Sequence, residues 1–234
     1  MSAMGIDELA PLGDPYRDVL RSMYDGEPQR GADGHLHAID GSTRVSIAEG
    51  MTLHSLCVTG RVTATLEVGL AYGFSTVFLL AALDQGGGGG THIAIDPFQA
   101  RDWHGIGATH ANELAARSAT LTSRSFTWIE DRSDRALVDL ERAGRTCGLV
   151  FIDGYHRFDD VLVDFTHAAR LSDRGGLIVL HDMWLDSIKA VASFVRNDRP
   201  DFAEVATACD NLFVVRRVGE DERDWSHFVD FPLR

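Results

Sequence analysis

From residue 62 to residue 216 the chain alternates short β-branched apolar runs with stretches of helical length, and few architectures accept that rhythm. Residues 62–68 suit a strand buried on both faces. Further strands are expected at 92–95, 126–129, 148–152 and 176–180, with helices between and after them at 75–83, 108–117, 133–143, 159–171 and 185–195. Strand, crossover helix and strand in succession give parallel pairing with right-handed connections, hence a doubly wound α/β sheet. Two last strand candidates, 202–206 and 212–216, are joined by too short a link for a crossover and are expected to pair antiparallel. The all-glycine run 86–90 precedes a strand rather than a helix, so it reads as a surface linker and not a phosphate cradle.

The turn after the first strand carries the first chemical signal, Leu66-Glu67-Val68-Gly69-Leu70-Ala71-Tyr72-Gly73-Phe74-Ser75. Gly69 allows a sharp turn and close approach of a ligand, and Gly73 does the same at the helix entrance. Ser75 either caps the helix or offers its hydroxyl to a carboxylate, and the free N–H groups of the helix start suit an anionic ligand end. Lacking a middle glycine, this is not the dinucleotide pattern, whose pyrophosphate needs that close approach. The second strand ends Ile95-Asp96-Pro97-Phe98, and Asp96 falls 27 residues after Gly69 (96 − 69). It either binds ribose hydroxyls or is a turn residue before proline. The third strand ends Glu130-Asp131-Arg132-Ser133. An acidic or hydroxyl side chain there can meet an adenine edge, while Ser133 can equally be a plain N-cap.

These segments continue with Phe151-Ile152-Asp153-Gly154-Tyr155-His156, Gly175-Gly176-Leu177-Ile178-Val179-Leu180 and His181-Asp182. In order and spacing, over roughly residues 45–217, the chain resembles the class I S-adenosylmethionine-dependent methyltransferases. More narrowly it resembles the small-molecule O-methyltransferase branch related to catechol O-methyltransferase and antibiotic-tailoring enzymes. The resemblance implies a Rossmann-like seven-stranded sheet with the last strand antiparallel. It implies that Glu67, Gly69, Tyr72, Gly73 and Ser75 surround the methionine moiety and that Asp96 takes the ribose. Asp131 or Ser133 would lie near adenine, and Phe98 and Asp153 count among the cofactor contacts.

Ligands of open α/β sheets sit beyond the carboxyl ends of the strands. Two polar clusters fall there: Asp153 with His156 three residues on, and His181-Asp182. Facing carboxylates repel unless a proton or cation separates them. Asp153, His181 and Asp182 are therefore candidate ligands of Mg²⁺, or of Mn²⁺ given the nitrogen that His181 would supply. His181 stands where the resemblance leads one to expect an acidic residue, which leaves metal use open. His156 aligns with the general-base position of the catechol branch, where lysine is usual. An imidazole can take a hydroxyl proton near neutral pH; alternatively His156 only caps the next helix. His181 would be the base if no metal binds.

Other residues carry weaker signals. His35 and His37 lie in a loop that is either solvated or a lid, and Trp103-His104-Gly105 is either an acceptor wall or a surface turn. Residues 1–13 read as a mobile tail. Asp14 is placed to cap a helix with Tyr16, Val19, Leu20 and Met23 on one face, 26–41 reads as loop, and Ser46 precedes a second apolar pattern. The expected organisation is an N-terminal helical extension or lid over 1–60, the cofactor-binding domain over 61–218 and a tail over 219–234.

A net charge of −13 disfavours nucleic acid and anionic membranes as partners. Three scattered cysteines, Cys57, Cys147 and Cys209, argue against a disulfide framework or a cysteine zinc site. Without a long apolar window or a signal-like start, a cytoplasmic location is the default expectation. A homodimer is the default oligomer. The main expectation is thus O-methylation of a small-molecule acceptor. The rivals are a metal-free N- or C-methyltransferase with a histidine base, a nicotinamide-dependent reductase, and a non-catalytic binding protein on the same fold.

Overall fold

The structure, a computed structural model, describes residues 5–231. Its Cα packing divides the chain at Arg132 and Ser133 into two compact units, each described below by itself.

The first unit opens with a 3-10 helix, Ile6–Leu12, followed by α1 (Tyr16–Tyr24), the two-residue strands β1 (Gln29–Arg30) and β2 (Leu36–His37), and α2 (Ile47–Gly60). Then come β3 (Ala64–Val68), α3 (Phe74–Gln85), β4 (Thr91–Ile95), α4 (Gln99–Asp102), α5 (Ile106–Arg117) and β5 (Phe126–Ile129). Apart from α4, which was not expected, the sequence patterns put these later elements within a few residues of their bounds. The 3-10 helix was not expected. Leu9 and Leu12 are buried, and the Gln85 amide donates to the carbonyls of Pro11 (2.8 Å) and Leu12 (3.2 Å), so residues 5–13 are not a loose tail. Asp14 does not cap α1; it pairs with Arg17 instead. Ser46 does cap α2, in a reciprocal box with Glu49: the Ser46 N–H donates to the Glu49 carboxylate at 2.5 Å and the Glu49 N–H to Ser46 Oγ at 3.3 Å. Within the expected 26–41 loop, Gln29 pairs with His37 and Arg30 with Leu36 in an antiparallel hairpin.

The second unit comprises α6 (Ser133–Arg142), β6 (Cys147–Ile152), α7 (Phe158–Leu171), β7 (Ser172–Leu180), α8 (Asp186–Asp198), β8 (Phe202–Glu204) and β9 (Phe213–Arg217). After β9 the chain runs back along α8. Buried Asp198 accepts from Arg223 (2.7 Å) and from the Val229 N–H (2.8 Å), and Phe231 meets the Phe194 ring edge-on.

Seven strands form one sheet in the order β5-β4-β3-β6-β7-β9-β8. β9 runs antiparallel to both β7 and β8, so the last strand is reversed as expected. Register sets the strand tips level. Val68 lies opposite Ile95 and Ile95 opposite Ile129 in the first unit, while Ile152 lies opposite Leu180 in the second. The polar residues that follow those apolar ends are thereby grouped at one edge within each unit. No helix among the described residues is long and apolar enough to cross a membrane.

Candidate functional site

In the first unit the 69–73 turn is clamped through its backbone. Gly69, Ala71 and Gly73 have φ of 95°, 45° and 87°, the left-handed region that glycine tolerates and alanine resists. Asp96 accepts from the N–H groups of Leu70 (3.2 Å) and Ala71 (2.9 Å) at Oδ2, and from that of Phe98 (2.8 Å) at Oδ1. On the other side, the buried Gln99 amide donates to the Ala71 carbonyl at 2.8 Å while its Oε1 accepts from the Gly107 N–H at 3.1 Å. A Cβ on Gly73 would lie 2.9 Å from Gly107 Cα, so the turn and the start of α5 meet backbone to backbone. The N–H groups expected to face an anionic ligand are therefore partly used: those of Leu70 and Ala71 already meet the Asp96 carboxylate. Oδ2 of Asp96 is saturated, and Oδ1 retains room for one more donor such as a ribose hydroxyl.

Glu67 and Ser75 are brought together, yet mainly with each other. Glu67 is fully buried. Its carboxylate accepts from the Ser75 and Thr76 hydroxyls, and His92 Nε2 lies 3.2 Å away. With its single proton spent on Glu67, the Ser75 hydroxyl can only accept from a ligand. Tyr72 is buried with its ring edge-on to Trp103 at 5.1 Å, which joins Trp103 to the turn. Phe98 is part-exposed beneath the Arg101 guanidinium at 4.4 Å. His104 stacks on His37 at 3.9 Å, and His37 Nε2 is 3.0 Å from both Asp33 oxygens. The hairpin that carries His37 thus touches the segment after α4, while His35 and Leu36 remain exposed. Asp131 accepts from the Arg132 N–H at 2.8 Å.

In the second unit the tips of β6 and β7 assemble a compact acid–imidazole cluster. His181 Nδ1 is 2.9 Å from Asp153 Oδ1, and His156 Nε2 lies 2.9 Å from Asp182 Oδ2 and 3.5 Å from Asp153 Oδ1. Trp184 Nε1 donates to Asp182 Oδ1 at 2.8 Å, and Asn211 Nδ2 is 3.2 Å from His181 Nε2. Asp182 has φ 59°, a conformation Asp adopts more readily than most residues and one that turns its carboxylate into the cluster. Hydrogen bonds to Asp153 and Asp182 raise the His156 pKa to about 9 despite opposing burial. Burial alone would raise the Asp182 pKa, but hydrogen bonds with His156 and His181 hold it far below the usual carboxylate range.

One ligand atom each from Asp153, His181 and Asp182 lie within 4.8 Å of one another, and among the described residues no other such group of three occurs. Two carboxylate oxygens and one imidazole nitrogen suit a divalent ion with mixed O/N preference. The same oxygens now share His156 Nε2, so a bound cation and a protonated His156 compete for one charge pocket. Ser133 is the first residue of α6, and its side chain acts on Asp164 of α7, lowering the pKa that burial raises. Gln99, His92 and Asn211 were not singled out from sequence; each acts through a partner many residues away that no local pattern marks.

A family model described as a methyltransferase domain matches residues 66–183, half of the chain, and spans both clusters. No curated protein matches the chain. Among solved structures, cofactor-bound Rv0187 from MTB is 19% identical with a TM-score of 0.64, over 94% of this chain and 99% of that one. An O-methyltransferase from Bacillus cereus in complex with SAH is 16% identical with a TM-score of 0.62, over 91% and 96%. The O-methyltransferase TomG from Streptomyces achromogenes, involved in tomaymycin synthesis and solved with SAM, is 19% identical with a TM-score of 0.57, over 89% and 91%.

Proposed function

This chain belongs to the methyltransferase-domain family and is an S-adenosylmethionine-dependent methyltransferase, and on that premise we propose that it methylates a hydroxyl of a small-molecule acceptor. The observation that carries the acceptor chemistry is His156 Nε2, held 2.9 Å from Asp182 and 3.5 Å from Asp153 at the tip of β6. Methyl transfer from a sulfonium asks the protein for alignment and for removal of the acceptor proton, and needs no covalent intermediate. In this reading His156 takes that proton at Nε2. Its proton at rest is shared with the two carboxylates, so the base form arises only when that proton leaves. Asp153 orients His181 through Nδ1, and Asn211 sits against Nε2 on the other side.

On the cofactor side, Asp96 Oδ1 is the proposed ribose acceptor and the turn Gly69–Gly73 the methionine cradle. Tyr72 and Phe98 are proposed to wall the cofactor, and Asp131 or Ser133 to lie near adenine. Asp153, His181 and Asp182 would hold a divalent cation. When bound, it would polarise the acceptor oxygen and lower its pKa. The O-methyltransferase names of two structural neighbours favour oxygen over nitrogen as acceptor.

The test is release of the demethylated cofactor from a panel of phenols, catechols, aliphatic alcohols and amines, run with chelator and then with Mg²⁺ or Mn²⁺. Turnover of hydroxyl acceptors is expected. Turnover confined to amines in chelator would replace this assignment with metal-free N-methylation.

A further inference from the structure

Thr65 and His92 join Glu67 in a buried polar assembly of the first unit, and neither has yet been given a role. Thr65, Glu67 and His92 are each at most 1% exposed. Thr65 and Glu67 alternate onto one face of β3, and His92 of β4 is the register partner of Thr65. Thr65 Oγ1 lies 2.8 Å from His92 Nδ1, His92 Nε2 lies 3.2 Å from Glu67 Oε2, and the imidazole stacks against Phe126. Ser75 and Thr76, in the first turn of α3, both donate to Glu67. The His92 tautomer sets the proton positions. Glu67 has three polar neighbours, the Ser75 and Thr76 hydroxyls and His92 Nε2. With Thr65 donating to Nδ1, the imidazole is neutral and its hydrogen sits on Nε2, directed at Glu67.

In that tautomer every donor to Glu67 is uncharged, and a net negative charge is buried near the end of β3, two residues before the 69–73 turn, where the surrounding dielectric screens it weakly. Resting on the cofactor assignment above, we infer that Thr65 and His92 are positioning residues that hold the Glu67 charge near the turn. That charge favours the cationic sulfonium cofactor over its neutral thioether product. Substrate and product differ there by one positive charge and one methyl group, so a fixed anion distinguishes them without touching either.

Calorimetry with S-adenosylmethionine, S-adenosylhomocysteine and a stable analogue bearing an ammonium group in place of the sulfonium tests this. Glu67→Gln is expected to weaken both cationic ligands about tenfold while changing the thioether by less than about threefold, so the affinity ratio collapses. His92→Phe, which removes the donor, should lower the ratio in the same direction. His92→Gln, which can still donate to Glu67, should retain it. A folded Glu67→Gln with the wild-type ratio overturns the inference. If that variant does not fold, equal ratios in His92→Phe and His92→Gln overturn it, with Thr65→Val as the mildest member of the series. Failure of wild-type protein to bind any of the three ligands would remove the cofactor assignment and this inference together; wild-type binding with an unresponsive ratio removes the inference alone.

Discussion

Gln99 holds Ala71 in the left-handed region: its amide donates to the Ala71 carbonyl at 2.8 Å while Asp96 takes the Ala71 N–H at 2.9 Å. Such a conformation costs a non-glycine residue about 1 kcal/mol. It persists because both polar groups of the residue are engaged. Gln99→Leu leaves the Ala71 carbonyl and the Gly107 N–H without their partner. Stability should fall by about 1–3 kcal/mol in denaturant titration, and cofactor affinity should fall several-fold as the turn relaxes. Ala71→Gly in the same background should recover part of the affinity.

Asp96 serves the turn and, in the proposed role, the ribose. Asp96→Asn presents an amide where carboxylate oxygens had accepted three N–H groups. Cofactor Kd should rise by at least about tenfold, equivalent to about 1.4 kcal/mol, with a simultaneous drop in Tm. Unchanged binding by calorimetry would remove Asp96 from the cofactor site.

His156 stands between two carboxylates that would otherwise repel across the cluster. His156→Ala should lower kcat by roughly 10²-fold if the imidazole is the base. It should also tighten Mn²⁺ binding, because the ion no longer competes with a proton on Nε2. Metal titration followed by paramagnetic resonance reads this directly; equal Mn²⁺ affinity in both proteins would show that a proton on His156 does not compete with the ion.

Acid stability should report a different histidine. His110 on α5 is buried with neither ring nitrogen hydrogen-bonded, and burial lowers its pKa from 6.5 to about 4. As pH falls below 6.5 the unfolded chain takes up this proton and the folded chain does not, so stability is lost until about pH 4. The loss is on the order of 3 kcal/mol. Asp164 opposes it: burial raises its pKa to about 6, so its contribution is present below 3.8 and disappears as pH rises through 6. Melting curves between pH 7 and 4 should therefore fall less steeply for His110→Leu than for wild type.

Much of the scaffold was legible because its strands are short β-branched runs whose tips carry the polar residues. Asp96, Asp153, His156, His181 and Asp182 were all found by looking just past such runs. The roles were less legible than the positions. Glu67 and Ser75 look like ligand contacts in sequence, but their hydrogens and lone pairs are largely spent on one another, a fact visible only when β3 and α3 are packed. The 3-10 helix at Ile6–Leu12 contains a proline, and a two-residue β-ladder has no alternation to detect, so neither element left a periodic trace.

The way Asp198 gathers Arg223 and the Val229 amide has a practical bearing on protein engineering. Shortening the chain before Arg223 would strand a buried carboxylate at the end of α8 and uncover Phe194, so a trimmed variant should precipitate more readily than the parent.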